Sequence, residues 1–347
     1  MAARIFFKRM LYAGLALLGL TAAVATFLYL VPSDEFILLP DRARPLAPLV
    51  KVQGEEPDPD GGGIYYVAVE VKKASILERL IPGLHEGSTL VPASLILGPD
   101  ESEQQHQRQE IQAMSLSQKV GAAVALENLG YAVKLESPGM VIEAVDPHGP
   151  SAGKLRPQDV VVSVDGRPTP SVAELRRTVR RHMPGDQVQL TVRRGRKLRR
   201  VDVKTIPDPQ DRARPIIGVI SSCVSQTFTK VKLPIGVHID LGQVGGPSAG
   251  LAFALDVVEE LGRNADHGYK VAASGEICAD GTVVPVGGLK QKTIGARRAG
   301  VDVFVVPAGE NTQEARRYAG GMRIIPVHSF RQALHALSTL PPKEPKA

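Results

Sequence analysis

A chain of 347 residues has room for about two domains, each large enough to bury a sizeable core. Its formal net charge is +6, but acids and bases are interspersed, so a nucleic-acid role gains little support. Neither of the two cysteines, Cys223 and Cys278, has metal-like spacing to a histidine or to the other, so no metal or other cofactor is expected; an oxidising exterior would let them pair.

Residues 10–31 carry no charge and are long enough to cross a bilayer at about 20 residues per span. Arg4, Lys8 and Arg9 precede this run, whereas Asp34 and Glu35 follow it. The positive-inside rule therefore puts residues 1–9 in the cytoplasm and everything after Pro32 outside. Ala23-Val24-Ala25 offers a cleaved signal peptide as the alternative, but Phe27 to Val31 extend the apolar run and favour an uncleaved, single-pass anchor. Residues 32–63 are rich in prolines, acids and glycines with no apolar period, and read as an extended linker. An accessory region, 64–132, follows. Residues 64–71 alternate like a strand, and 75–81 form a short amphipathic segment ended by Pro82. The polar stretch 98–112 lacks a core-forming pattern and is expected to be mobile. Residues 115–129 return to helix, with Leu116, Val120 and Val124 on one stripe and Gly130 as the stop.

A compact unit spans 133–206, with strands expected at 140–145, 160–164, 187–193 and 198–204 and one helix at 171–183. Ser171 followed by Glu174 forms a capping box at the helix start. The basic run 193–200 alternates with strand-forming residues around Gly195 and reads as a solvated hairpin. Residues 152–159, Ala-Gly-Lys-Leu-Arg-Pro-Gln-Asp, followed by Val164-Asp165-Gly166, make this unit resemble a PDZ domain of the bacterial protease-associated type. The resemblance implies that a peptide adds as an extra strand and that a loop of backbone N–H groups holds its C-terminal carboxylate. Gly139, Met140 and Val141 occupy that loop position. Val172, Leu175 and Val179 would face the groove, with plain core packing as the alternative for some or all of them.

A second linker, 207–215, leads into 216–340, where strands at 216–220, 232–239 and 303–306 alternate with helices, the last at 330–340, to give an α/β domain. The Pro/Lys-rich tail, 341–347, reads as disordered. Within the domain three small-residue blocks each flank a side chain with reactive potential: Gly245-Gly246-Pro247-Ser248-Ala249-Gly250, Ser274-Gly275-Glu276-Ile277, and Val286-Gly287-Gly288-Leu289-Lys290-Gln291-Lys292. Glycines followed by proline turn a strand sharply into a helix, which puts Ser248 at the helix start beside free N–H groups able to bind an oxyanion. The bland alternative is that Ser248 caps the helix. No histidine sits beside these three blocks, so lysine is the better base. Lys290 and Lys292, two apart, point to different helix faces. A lysine acts as a base only when neutral, so its reference pKa of about 10.4 must fall through burial.

These blocks, with Arg298-Ala299-Gly300-Val301 after them, resemble the proteolytic domain of Lon-type serine/lysine peptidases. The resemblance makes Ser248 the nucleophile, Lys292 the base and the Ser274 hydroxyl the group that orients the lysine, with Gly246 and Ala249 supporting the serine turn. One departure is clear: the Lon pattern carries an acidic residue three before the serine, and this chain has Gly245. Anchor, PDZ unit and Lon-like domain in this order are similar to the YlbL-like family of bacterial membrane-bound PDZ proteases. No Gly-x-x-x-x-Gly-Lys-Ser/Thr stretch occurs, so an ATP-independent endopeptidase acting on unfolded or extended polypeptides outside the membrane is expected. Two non-enzymatic readings compete with it, a catalytically silent PDZ scaffold and a membrane assembly factor. Rings occur among Lon-type domains, which leaves a homo-oligomer open.

Overall fold

The structure is a computed structural model that describes residues 2–53, 62–98, 101–137, 139–169, 171–209, 211–221, 230–341 and 343. It opens with helix α1 (Ala2–Leu30), in which Tyr12–Leu30 is long and apolar enough to cross a membrane. Leu15, Leu17, Leu18 and Phe27 stand exposed, with no core to receive them.

The region expected as a linker is instead built into the fold. β1 (Pro32–Pro40) pairs antiparallel with both β5 and β6, while β2 (Arg44–Pro45) and β3 (Val50–Val52) dock on strands introduced below. As the central strand of its sheet β1 buries Phe36 and Ile37, so the four-residue apolar run 36–39 carries no alternation to betray it. The expected strand 64–71 is two strands, β4 (Gly63–Tyr66) and β5 (Val69–Ser75), which serve different sheets. A capping box between Ser75 and Glu78 starts α2 (Ile76–Leu80), and β6 (Thr89–Pro92) completes the small sheet.

α3 (Glu103–Asn128) replaces the expected mobile stretch and short helix with one 26-residue helix. Ser102 and Gln105 close its capping box, and its first turns are polar because they face solvent; the buried stripe begins at Met114.

The middle of the chain folds as a unit around its own core. β7 (Lys134–Glu136), β8 (Met140–Val141) and β9 (Ala144–Val145) precede β10 (Val160–Val164), β11 (Arg167–Pro168), α4 (Val172–Val179), β12 (Gln187–Arg194) and β13 (Lys197–Lys204). The main sheet runs β11-β10-β12-β13 with β8 also on β10, and β12–β13 is a full hairpin turning at Gly195, φ +59°. The expected strand 140–145 divides, since β9 leaves this sheet for β16. The stretch expected as a linker is a closed excursion: β14 (Ile206–Pro207) pairs with β15 (Pro215–Ile216), and Arg214 is ion-paired with Asp208. β16 (Val219–Ile220) then pairs with β9, and Ile217 is buried with Met140, Ile142, Leu175 and Val179. The 216–220 segment therefore belongs to the middle unit and not to the domain after it.

β17 (Lys230–Lys232) returns antiparallel to β7, so the chain leaves the unit alongside the strand by which it entered. β18 (Val237–Ile239) pairs with β3. A 3₁₀ turn, Pro247–Ala249, opens α5 (Gly250–Glu260), and β19 (Lys270–Ala273), β20 (Glu276–Ile277), β21 (Val283–Val284), α6 (Leu289–Arg298), β22 (Val303–Pro307), α7 (Glu310–Tyr318), β23 (Arg323–Val327) and α8 (Phe330–Ser338) complete the chain. The larger sheet runs β2-β4-β19-β22-β23, parallel except for β2 at its edge, and its inner strands are buried on both faces. One core joins Val50, Ile64, Met114, Val120 and Val124 to Phe253, Leu255, Val271 and Val305. Segments before and after the middle unit thus build a single α/β fold, with the middle unit inserted between α3 and β17. Of the expected tail, only Pro341 and Lys343 are described.

α5 is buried along its whole length and carries Asp256, 0% exposed, with no hydrogen-bond partner for either carboxyl oxygen among the described residues. Burial pushes this carboxyl well above 3.8, and Glu260, Glu259 and Asp266 push it further. Below pH 3.8 the group is neutral both folded and unfolded; as pH rises from there, the unfolded state ionises first and stability is lost. Asp256→Asn should therefore melt higher than the parent at pH 7, with the difference closing towards pH 4. Thermal melts at the two pH values check this, and a pH-independent difference would refute it.

Candidate active site

The serine turn is strapped from two sides. β19 ends at Ala273, and the next two residues cross over the turn: the Gly275 N–H donates to the Ser248 carbonyl at 2.8 Å, the Ser274 hydroxyl donates to the same oxygen at 3.3 Å, and the Leu251 N–H donates to the Gly275 carbonyl at 3.0 Å. Ser274 is fully buried, and a Cβ on Gly275 would meet Val283 at 2.8 Å, which explains the glycine. From the other side α3 accepts the Gly246 N–H on the Glu110 carbonyl at 2.9 Å and donates the Ser117 hydroxyl to the Pro247 carbonyl at 2.9 Å. Gly246, at φ +91°, makes the bend that only glycine adopts freely, and Pro247 starts the turn. Ser248 is half-buried, and its hydroxyl forms no hydrogen bond among the described residues, so it does not cap the helix. Ala249 behind it is buried.

Lys292 lies in the first turns of α6 and is 4% exposed. Burial lowers its ammonium from 10.5 to about 7. Lys290 points elsewhere: its Nζ donates to the Ser88 carbonyl at 2.8 Å and the Thr89 hydroxyl at 3.3 Å and lies over the Tyr318 ring. Asn311 bonds both the N–H and the carbonyl of Val286, fixing the glycine turn that launches α6, and the Gly295 carbonyl accepts the Ala43 N–H on the opposite flank. The structure brings Ser274 onto the main chain of Ser248, whereas no hydrogen bond joins Ser248 Oγ or Ser274 Oγ to Lys292 Nζ among the described residues. Cys278, two residues beyond Glu276, is disulfide-bonded; Cys223 lies outside the described residues.

In the inserted unit Val172, Leu175 and Val179 of α4 line a cleft of about 480 Å³ whose opposite wall is Pro215 to Ser221. Gly139, Met140 and Val141 are not part of it. Gly139 is packed so tightly that a Cβ would lie 2.3 Å from the Val161 carbonyl oxygen, and Met140 and Val141 are core residues paired to β10. Pro138 is outside the described residues. The loop at the cleft is Ile216-Ile217-Gly218-Val219, with Gly218 at φ +68° against Pro150. An apolar-Gly-apolar tetrapeptide was the available signal, but it follows the unit's helix in sequence and so reads as part of the next domain.

Residues 128–205 match the PDZ domain family, and residues 219–338 match the Lon protease (S16) C-terminal proteolytic domain. Lon protease 2 of Bacillus subtilis is 33% identical over 116 residues, 33% of this chain and 20% of that protein. Lon protease of Chloroflexus aggregans is 36% identical over 114 residues, 31% of this chain and 14% of that protein. The chain thus spans a fifth or less of the length of these curated relatives. The PDZ domain of an SdrC-like protein from Listeria monocytogenes is 25% identical and covers 25% of this chain and 92% of its own, with a TM-score of 0.24. The two matches together, a PDZ domain followed by a Lon-type proteolytic domain on one chain, are consistent with a PDZ-containing Lon-type protease family.

Proposed function

We propose that the chain is a membrane-anchored serine endopeptidase in which Ser248 and Lys292 form the catalytic pair. The observation that carries this reading is the buried Lys292, whose ammonium burial lowers to about 7, on a fold whose Ser248 hydroxyl has no hydrogen bond among the described residues. Neutral Lys292 takes the proton from Ser248 Oγ as the oxygen attacks the scissile carbonyl; the resulting ammonium returns that proton to the leaving amine, and water then hydrolyses the acyl-enzyme. The unpaired N–H groups of the first helical turn, at Ser248 and Ala249, stabilise the oxyanion. Ser274 acts on the serine turn through the Ser248 carbonyl. Apo hydrogen bonds of this kind commonly tighten only with substrate in place, and closure of the pair on peptide binding is part of the proposal.

Substrates are unfolded or extended polypeptides, since this reading needs no ATP-driven motor. In this reading α1 is the anchor, and the basic residues before its apolar stretch support a catalytic part outside the cytoplasm. The disulfide-bonded state of Cys278 supports that side of the membrane, where such bonds persist.

Ser248→Ala and Lys292→Ala should each lower kcat by about 10⁴-fold or more with the fold intact by circular dichroism, because the pair acts as a unit. Lys290→Ala, which loses the tether to Ser88 and Thr89 and the contact with the Tyr318 ring, should retain most activity. Unstructured polypeptide incubated with the detergent-solubilised full chain, with product sequencing, reads both; residual turnover in the serine variant overturns the assignment.

The sign of the pH dependence follows from the same lysine. The base works when neutral, so kcat/KM should rise about tenfold per pH unit up to about pH 7 and then level off. A flat profile from pH 5 to 8 would remove Lys292 as the base.

For the PDZ cleft the reading is capture of substrate C-termini, with the Ile216–Val219 turn as the carboxylate cradle and Leu175 and Val179 as the apolar floor. A peptide with a free apolar C-terminus should bind more tightly than its amidated form by fluorescence anisotropy. Leu175→Lys should raise KM and leave single-turnover chemistry unchanged. Equal binding of the two peptides makes the unit a spacer.

A further inference from the structure

α3 meets the serine turn along one face and at unusually short range. Glu110, Ser117 and Gly121 are spaced seven and four residues apart, and so fall on one side of the helix. Each touches a different part of the turn. The Glu110 carbonyl takes the Gly246 N–H. The Ser117 hydroxyl holds the Pro247 carbonyl, and a Cβ on Gly250 would lie 2.7 Å from that hydroxyl. A Cβ on Gly121 would lie 2.9 Å from the Gly250 carbonyl oxygen.

The tightest approach concerns position 245. A Cβ there would sit 2.7 Å from the Glu110 Cβ and 3.2 Å from the Glu110 carbonyl carbon, so no side chain fits while α3 stays in place. Position 245 is also where the Lon pattern carries an acidic residue. Glu110 brings an acid to this turn from α3: one of its carboxylate oxygens lies 3.0 Å from the Cβ position of Gly246, two residues before Ser248.

We infer that Glu110 is a positioning residue for the nucleophile, supplying from α3 the carboxylate that position 245 has no room to carry. The inference rests on the reading of Ser248 as nucleophile. Its physical content is that the carboxylate packs on the Gly245–Gly246 backbone, while the Glu110 carbonyl fixes the Gly246 N–H. Together they set the direction in which Ser248 leaves the turn.

The test is a swap read by peptidase kinetics on the full chain, with Ser248→Ala alongside. Glu110→Gln keeps shape and the main-chain bond but removes the charge; it should lower kcat by about tenfold with KM little changed. Gly245→Asp alone collides with Glu110 and should lower kcat by about 100-fold, since small misplacements of a reacting group have effects of that size. Gly245→Asp combined with Glu110→Gly opens the space and returns the acid to the turn, and should recover at least about tenfold over Gly245→Asp. Normal kcat in Glu110→Gln, or a double variant no better than Gly245→Asp, overturns the inference. If Gly245→Asp does not fold, the isosteric Gln variant still decides. Activity persisting in Ser248→Ala would instead bring down the reading of the nucleophile, so the two failures are distinguishable.

Discussion

The contact of α3 with the Gly245–Gly250 turn brings together stretches separated by the whole PDZ unit and allows no Cβ at either end of that turn. Much of the molecule follows from it. The helix must reach far enough towards its N-terminus to present Glu110, which is why it begins at a capping box around Ser102 and not at its first buried residue. The turn must be glycine-rich to accept the helix, and the Ser274–Gly275 strap must close it from the opposite side, where a side chain on Gly275 would strike Val283. In the proposed mechanism, a serine held on both sides by main-chain hydrogen bonds has its direction fixed before substrate arrives, the condition under which oriented groups react fastest.

The second constraint is energetic. Lowering the Lys292 ammonium from 10.5 to about 7 means that the folded state disfavours the charged lysine by on the order of 5 kcal/mol. The unfolded chain keeps its lysine protonated up to about pH 10.4, so this penalty on folding is full below about pH 7 and fades above it. The fold tolerates such a residue because α6 is secured independently: Asn311 on the Val286 peptide, Lys290 and Gln291 on the Gly87–Thr89 segment, and Gly295 against the chain at Asp41. If Lys292 is the proposed base, it is held by neighbours with no share in its chemistry, the usual exchange of stability for activity at a reactive site.

What was legible in the sequence was what is local. The serine turn, the Ser274–Ile277 block and the lysine turn each carry their glycines, proline and reactive side chain within a few residues, and α5, α6 and β22 show their periods directly. What was missed depends on distant partners. β1 and β3 are strands because β5, β6 and β18 come to pair with them, not because of an alternation of their own. The first three turns of α3 lie in a polar stretch whose helicity depends on a cap and on the rest of the helix beyond it. Gly139 reads as a loop residue, yet its glycine answers to the Val161 carbonyl pressed against it, while the glycine at the cleft is Gly218, about 80 residues later in the sequence.

The insertion itself has a simple mechanical basis. A domain can be placed inside another when its two ends lie close together, and here β7 and β17 make them neighbours on one antiparallel ladder, Lys134 facing Lys232 and Glu136 facing Lys230. The strand that walls the peptide cleft, β16, lies on the outgoing arm shortly before that ladder. Under the proposed capture of substrate C-termini, a peptide seated along β16 would lie on the arm of the chain that returns to the α/β fold, at an effective concentration of about millimolar near the serine turn. Because the α/β core closes on both sides of the insertion, through Val124 before it and Phe253 after it, the PDZ unit needs no packed interface with the core to remain attached. The two passages between the unit and the core run side by side as β7 and β17.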